Sequence, residues 1–418
     1  MNTVSKGIIQ NMHISNVLIV CHYAQQPPLN TMLRYHNWGK ELVTRGYNVT
    51  IIAASTIHNT DIDFIEKTGK NSDFCDGIHY KYIRTPHYKG NGLHRIKNML
   101  AFCFGLKKYS NIRADVVITC EAYLYPFVRH YFKNAPVITD TVDLWPESII
   151  EYGNYSKRNP LIWSLYRLER KAYVSSDALV FSIEGGVDYL REQSYSDQID
   201  YNKVFHINMG CDLVAFDNNL NSFSDELPWD MGKFNIVYCG SLRTANQVMG
   251  ICEAAKILND TGVDLIDIHI YGNGDQYDVL RKYVDDNSLP NVHFYGRFKK
   301  EDLPGILSRA DASLLTYKQV RLMKYGGSQS KLFDYLASGT PIVSNAEWGY
   351  DLLKRYSCGL ISYDQSAKAF ADTLLKISLL PKDELDAMGI RARSVAELYS
   401  LPKLVDSLCN VFSWIEAK

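Results

Sequence analysis

A glycine-rich turn followed by a helix, in residues 325–345 (YGGSQSKLFDYLASGTPIVSN), combines residue types suited to binding an anion. Two glycines permit close approach of the backbone to a ligand, and two serines supply hydroxyl donors and a helix cap. A lysine follows in the first helical turn, where the helix dipole disfavours a cation unless a highly charged anion lies opposite it. These residues are Gly326, Gly327, Ser328, Ser330 and Lys331.

Asp334 follows Lys331 by three residues, so the two side chains are expected on one helix face. Such a pair would offer an ammonium to phosphate and a carboxylate to sugar hydroxyls. An ordinary surface ion pair has the same spacing. The preceding glycines and the short return to a strand through Gly339 and Pro341 favour the binding interpretation.

Further candidates follow three predicted strands of the second half. Gly240 and Arg243 come directly after FNIVYC, at the strand edge where parallel sheets bind ligands. Arg243 could clamp a diphosphate with paired N–H groups, or it could be a solvated loop arginine. Gly272 ends the next strand, and Arg297 and Phe298 follow a third, where they could line a nucleobase or form a plain turn.

The elements that must position these residues form two series of alternating strands and helices, which predict parallel sheets. Between the series, residues 215–230 are polar and turn-rich, as in a linker. The predicted strands are 17–21, 47–54, 114–119, 136–139, 178–183, 234–239, 264–271, 292–295, 312–316 and 341–344. The predicted helices are 31–44, 248–259, 276–285, 303–309, 331–338 and 401–415.

The sequence therefore predicts an α/β protein of two doubly wound, Rossmann-like domains that face each other across a cleft. The first domain spans residues 1–214 and the second spans residues 231–397. The last segment, residues 398–418, is predicted to be a helix that packs back across the domains.

Composition excludes several classes of protein. At 418 residues two domains are the natural expectation, and a formal net charge of −1 argues against a nucleic-acid binder. The nine cysteines include no C-x-x-C, which indicates neither a disulfide framework nor a zinc site and fits a reducing cytoplasm. No apolar run approaches the roughly 20 residues needed to span a bilayer, so any membrane contact must be peripheral.

The second half resembles family 4 of the retaining glycosyltransferases, which have the GT-B fold. The likeness lies in YCGSLRTANQ, IHIYGNGD, NVHFYGRF and GGSQSKLFDYLASGTPIV. The first half resembles a branch that acts in O-antigen and capsule assembly, including fucosamine-type transferases, through HYAQQP, RGYNVTIIAAS, TPHYKGNGLHRIKNMLAF and DTVDLWPESI. The resemblance implies transfer of a sugar from a nucleotide diphosphate, UDP by family habit, to a lipid-linked saccharide.

By this likeness Asp334 would bind the nucleotide ribose, and Lys331 with residues 327–330 would bind the diphosphate and face the donor sugar. Gly326 and Leu332 belong to the same donor-binding segment. The family has an acid eight residues before the position of Asp334, where this chain has Gly326.

The family's Arg and Lys after the first strand of this domain are replaced by Ser241 and Asn246. We therefore expect Arg243 and Lys331 to supply the positive charge that catalysis needs. No D-x-D pair follows a predicted strand, so no divalent metal and no cofactor are expected.

Asp143, in TVDLWP, follows a strand of the first domain and is the predicted catalytic group that orients the acceptor hydroxyl. An aspartate that caps the next helix would have the same position. Arg34 and Tyr35 are further acceptor-binding candidates.

The segment 81–113 is basic, and no acidic residue occurs between Gly77 and Ala114. Within it Leu93, Ile96, Leu100 and Phe104 recur at helical spacing, which predicts an amphipathic helix for an anionic membrane surface. A core helix with a solvated basic side is the alternative. Together with the resemblance, the segment suggests a polyprenyl-diphosphate-linked acceptor and a cytoplasmic protein on the inner face of the cell membrane.

Two other functions fit the same pattern. A UDP-sugar 2-epimerase has the same two-domain shape and would form its product without an acceptor. A degenerate GT-B protein that only binds a partner would explain the glycine at position 326. A nicotinamide-dependent dehydrogenase is disfavoured because no G-x-G-x-x-G follows the first strand.

Overall fold

The computed structural model describes residues 13–29, 32–90, 92–153, 155–221, 223 and 227–418. It contains an eight-stranded sheet in the first half and a six-stranded sheet in the second. Each sheet forms the centre of an α/β domain, which confirms the predicted fold class. No helix among the described residues is long and apolar enough to cross a membrane.

The N-terminal sheet has the order β3-β4-β2-β1-β5-β6-β7-β8. Its strands pair in parallel except for the β3–β4 hairpin, which the sequence pattern did not predict. The central strand β1 is a continuous apolar run, as expected of a strand covered by helices on both faces. The strands are β1 (Asn16–Val20), β2 (Asn48–Ala54), β3 (Ser72–Cys75), β4 (Ile78–Ile83), β5 (Val116–Thr119), β6 (Val137–Thr141), β7 (Ala178–Phe181) and β8 (Val204–His206).

The helices of this half cover both faces of the sheet, and apolar side chains from the two faces form separate cores. They are α1 (Arg34–Thr44), α2 (Phe64–Thr68), α3 (Leu93–Gly105), α4 (Tyr125–Tyr131), α5 (Glu147–Gly153), α6 (Pro160–Ser175), α7 (Gly186–Arg191) and α8 (Leu213–Asn218). The last of these begins before the predicted linker and extends into it, so the start of that segment is helical.

The C-terminal sheet is wholly parallel and has the order β11-β10-β9-β12-β13-β14. The chain leaves β9 in one direction to build β10 and β11 and in the other to build the remaining strands, so the carboxyl end of β9 is a topological switch point. The strands are β9 (Phe234–Cys239), β10 (Ile266–Tyr271), β11 (Val292–Gly296), β12 (Ala312–Leu315), β13 (Ile342–Ser344) and β14 (Gly359–Ile361).

Eight helices among the described residues follow in the second half. They are α9 (Val248–Asp260), α10 (Tyr277–Asp286), α11 (Leu303–Leu307), α12 (Ser330–Ser338), α13 (Leu352–Tyr356), α14 (Ala367–Ser378), α15 (Lys382–Leu398) and α16 (Leu401–Glu416). The final helix, α16, returns to the N-terminal domain, where Leu408 and Phe412 enter the core beside α1. Asp406 accepts a hydrogen bond from Arg45 at 2.6 Å at the end of α1. The last helix therefore joins the two domains.

Candidate functional site

Lys331 lies in the first turn of α12, beside the carboxyl end of β9. Its ammonium donates to the Tyr238 hydroxyl at 3.2 Å and lies over the rings of Tyr238 and Tyr317, 4.8 and 4.5 Å from their centroids. No carboxylate among the described residues pairs with it. Burial lowers the pKa of Lys331 to about 7. The structure thus contains a half-buried amine that carries a full charge only when an anion compensates it.

The surroundings of this amine are open to a phosphate group. A Cβ atom on Gly240 would lie 3.4 Å from the Lys331 Nζ, so the glycine keeps the space beside the amine free. The backbone N–H groups of Ser330 and Lys331 have no hydrogen-bond acceptor among the described residues. An anion at this point would receive a charge-assisted hydrogen bond and the favourable end of a helix dipole.

Glycines of the neighbouring turn hold this strand edge together by close backbone packing. A Cβ atom on Gly272 would lie 1.8 Å from the carbonyl oxygen of Gly240, and one on Gly274 would lie 2.2 Å from that of Leu242. The Gly240 N–H also donates to the Tyr271 carbonyl at 2.9 Å. Gly272 therefore fixes the turn that faces Lys331 and has a positioning role.

Asp334 points away from Lys331, so the two residues do not form the predicted pair on one helix face. Its carboxylate instead accepts a hydrogen bond from the Lys300 ammonium at 2.5 Å. Asp334, Ser330 and Lys300 line a cavity of about 290 Å³ between the domains, and Arg34 and Lys40 line its other side. The first turn of α12 thus separates an amine site from a cavity that contains a carboxylate.

Two predicted donor contacts have other partners in the structure. The Ser328 hydroxyl accepts from the Met209 N–H at 3.0 Å and bonds to the Asn208 side chain at 2.5 Å, so it links the domains. Leu332 packs in the core of the C-terminal domain. Its side chain is therefore not available to a ligand. Nor does Ser330 cap α12, since it is the first residue of that helix.

The adjacent glycines serve the turn itself. Gly326 has φ +100°, a conformation that an acidic residue would adopt only with strain. A Cβ atom on Gly327 would lie 2.7 Å from the Trp348 ring. Both glycines are therefore required by local geometry, and the absence of an acid at position 326 has a backbone cause.

The remaining donor candidates lie at the rim. Arg243 is exposed and faces the N-terminal domain, where burial, Arg95 and Arg243 lower the pKa of His58 to about 4. Arg297 is exposed, and the ring of Phe298 packs edge-on against Tyr271 with centroids 6.2 Å apart.

Asp143 lies after β6 with its side chain exposed, and no described residue donates a hydrogen bond to its carboxylate. Desolvation by the protein atoms around the carboxylate raises the pKa of Asp143. Burial and then the Asp143 carboxylate raise the pKa of Tyr152. The Asp143 side chain does not cap a helix, since no described backbone N–H donates to it.

The polar atoms of Arg34 and Tyr35 have structural partners, although Arg34 also lines the cavity. The Arg34 guanidinium forms two hydrogen bonds to the buried Asp140 carboxylate, at 2.8 and 3.0 Å, and it donates to the carbonyls of Ile207 and Asn208. The Tyr35 hydroxyl donates to the same carboxylate at 2.9 Å. Because their polar atoms are already paired, the structure does not support the predicted acceptor contacts.

The sequence pattern missed several residues at these strand ends. Tyr238, Tyr317 and Lys300 surround the predicted donor residues. Glu121 is the second residue after β5, and burial raises its pKa to about 7. The signal for Glu121 was present, since a carboxyl group just after a buried strand lies at the ligand-binding edge.

Comparison with known proteins found one family match and many similar folds. Residues 233–378, within the C-terminal domain, match the family Glycosyl transferases group 1. No curated protein sequence matches the chain.

Solved structures share the fold over nearly the whole chain. Sucrose-phosphate synthase from Thermosynechococcus elongatus has a TM-score of 0.72 at 14% identity, with 96% of this chain and 99% of that chain covered. HepE of Anabaena in complex with UDP-glucose has a TM-score of 0.65 at 10% identity, covering 96% and 100%. WaaG, a glycosyltransferase involved in lipopolysaccharide biosynthesis, has a TM-score of 0.66 at 13% identity, covering 95% and 99%. The chain therefore has the GT-B fold.

Proposed function

We propose that this protein is a glycosyltransferase that takes a sugar from a nucleoside diphosphate donor, with UDP as the favoured nucleotide. The observation that carries the proposal is the Lys331 amine, which has no carboxylate partner in the part of the chain that the structure describes and lies at the switch point of a domain that matches Glycosyl transferases group 1. The complexes of HepE with UDP and UDP-glucose support the choice of nucleotide.

The donor would lie along the first turn of α12. Its pyrophosphate would contact Lys331 and the free N–H groups, while its ribose would reach Asp334 in the cavity. The Lys300 ammonium already donates a hydrogen bond to the Asp334 carboxylate. The ribose hydroxyls must therefore share this carboxylate with Lys300 or displace the ammonium. Arg297 lies at the rim on the side of the nucleobase.

Breaking the glycosyl–phosphate bond leaves growing negative charge on the diphosphate. Lys331, Arg243 and the α12 dipole would stabilise that charge more strongly in the transition state than in the ground state. Since protein cations occupy this role, we propose transfer that is independent of a divalent metal. Asp143 would orient the acceptor hydroxyl, and in the retaining mechanism that the resemblance implies the leaving phosphate takes its proton.

The acceptor is proposed to be a polyprenyl-diphosphate-linked saccharide of surface polysaccharide synthesis, reached at the inner face of the cell membrane. Helix α3 supports this, because Leu93, Leu100 and Phe104 are 73%, 46% and 61% exposed while Phe102 is buried. These exposed apolar side chains lie within the segment that has no acidic residue. An apolar strip with basic neighbours fits an anionic lipid surface.

The membrane contact is tested by flotation with vesicles. The protein should float with vesicles that contain anionic lipid and not with zwitterionic ones, and high salt should weaken the binding. A Leu100→Ser, Phe104→Ser double variant should not float with the anionic vesicles. Exposed Leu379 and Ile390 of the other domain provide a matched control pair. Equal flotation with anionic and zwitterionic vesicles, or equal flotation of the wild type and the α3 variant, would contradict the membrane contact.

The transferase itself is tested by screening nucleotide-sugars for thermal stabilisation and then assaying the best one with candidate acceptors. Wild-type protein should release free nucleotide only when an acceptor is present, and Lys331→Ala should lose turnover by orders of magnitude while folding normally. A new sugar nucleotide formed without acceptor would indicate an epimerase. Donor binding without transfer to any of the tested acceptors would indicate a degenerate binding subunit.

A further inference from the structure

Two cysteines that are far apart in the sequence lie beside a glutamate at the carboxyl edge of the N-terminal sheet. Cys21 directly follows β1 and Cys120 directly follows β5, and the last residues of these neighbouring parallel strands are paired in register. Glu121 is next in the chain. The ligand atoms of all three residues lie within 4.8 Å of one another.

The three side chains bond mainly to each other. The Cys120 thiol donates to one carboxylate oxygen of Glu121, and the Cys21 Sγ lies 3.9 Å from the other. In the free protein the three side chains therefore form a hydrogen-bonded cluster, and thiols are weak donors for a buried carboxyl group.

We propose that Cys21, Cys120 and Glu121 form a site for a thiophilic divalent cation, with Zn²⁺ as the favoured ion. Two sulfur ligands and one carboxylate oxygen are donors that zinc accepts, whereas magnesium and calcium require oxygen ligands. In a tetrahedral zinc site with a Zn–S bond of about 2.3 Å and a Zn–O bond of about 2.0–2.2 Å, the sulfur and oxygen ligands lie about 3.5–3.7 Å apart. The Cys21 Sγ lies 3.9 Å from a Glu121 oxygen, so this pair needs only a small approach, while the shorter Cys120–Glu121 contact must open.

Burial and composition favour this group over others in the described residues. Two further sets of three ligands contain at most one thiol, and each includes an exposed member. Cys21 is buried, and Cys120 and Glu121 are half-buried at the edge that faces the cleft. Three protein ligands leave one position of a tetrahedral ion open.

Binding of the ion does not depend on sugar transfer, so its test does not use activity. Full-length reduced protein is titrated with Cd²⁺, which reports thiolate binding through an ultraviolet charge-transfer band, and with Zn²⁺ in competition. One ion per chain is expected. Cys21→Ser and Cys120→Ser should each lose the band, and Glu121→Gln should weaken binding by at least about tenfold, as loss of an outer-shell partner already does.

Cys103→Ser is the matched control, because Cys103 is equally buried but packs on the opposite face of the sheet. It should keep the band. A wild-type protein without a band, or a band that persists in both serine variants, would overturn the proposal. If the serine variants fail to fold, anomalous diffraction of zinc-soaked wild-type crystals decides: a peak among the three ligands supports the site, and its absence there contradicts it.

Discussion

The affinity for UDP should fall steeply with pH because Lys331 must be charged to bind a pyrophosphate. Its pKa of about 7 leaves roughly half of the protein cationic at pH 7 and about 1% at pH 9. When only a fraction of the protein is competent to bind, the apparent Kd rises by the inverse of that fraction. The expected loss between pH 7 and pH 9 is therefore about 50-fold, equivalent to about 2.3 kcal/mol.

Isothermal titration of UDP at both pH values measures this loss. A terminal phosphate with a second pKa of about 6 keeps its charge over the range. Lys331→Arg is the matched control, since arginine stays protonated and its pH dependence should be nearly flat. Glu121, whose pKa is about 7, titrates in both proteins and cancels in the comparison. A wild-type loss below about threefold, or an equal loss in the arginine variant, would refute the reasoning.

Three further outcomes follow from the structure. Because Lys331 has a lowered pKa when folded, the free energy of unfolding should rise between about pH 7 and pH 10, and Lys331→Met should abolish that rise in urea titrations. Arg34→Met strands a buried carboxylate and should destabilise the protein by about 3–5 kcal/mol in calorimetry; a loss under about 1 kcal/mol would contradict this. Gly272→Ala must displace the Gly240 carbonyl, which its Cβ would approach to 1.8 Å, and should weaken UDP binding by about tenfold or more. In Gly262→Ala the added Cβ atom would have nothing within 4 Å, at φ +75°. This control should lose about 1 kcal/mol of folding free energy and keep its affinity for UDP; equal losses of affinity in both glycine variants would show that Gly272 has no special role.

Local patterns predicted the fold class and most of its strands. The apolar runs and their alternation with helices predicted ten of the fourteen strands among the described residues, because parallel strands covered on two faces leave continuous apolar runs, but β3, β4, β8 and β14 were missed. Lys331 could be chosen from its position in a first helical turn after two glycines. That choice stays a prediction, as does the specific family 4 and O-antigen branch, while the segment lies within the residues 233–378 that match the group 1 family.

Long-range pairings escaped the sequence pattern. Arg34 and Asp140 are separated by 106 residues, so nothing local distinguishes a buried structural arginine from a ligand-binding one. The same holds for Ser328, which bonds to Asn208 in the other domain. Asp334 was predicted to share a helix face with Lys331, but a spacing of three residues fixes the direction of a side chain only approximately. Asp334 bonds to Lys300 and Lys331 bonds to Tyr238, so the two side chains point in different directions.

The central claim is that the first turn of α12 binds the pyrophosphate of a sugar nucleotide. A crystal structure of the protein with UDP tests it most directly. We expect phosphate oxygens within hydrogen-bond distance of the Lys331 ammonium and a ribose hydroxyl on Asp334. A nucleotide bound elsewhere, with that amine still covered only by its two tyrosine rings, would contradict the claim.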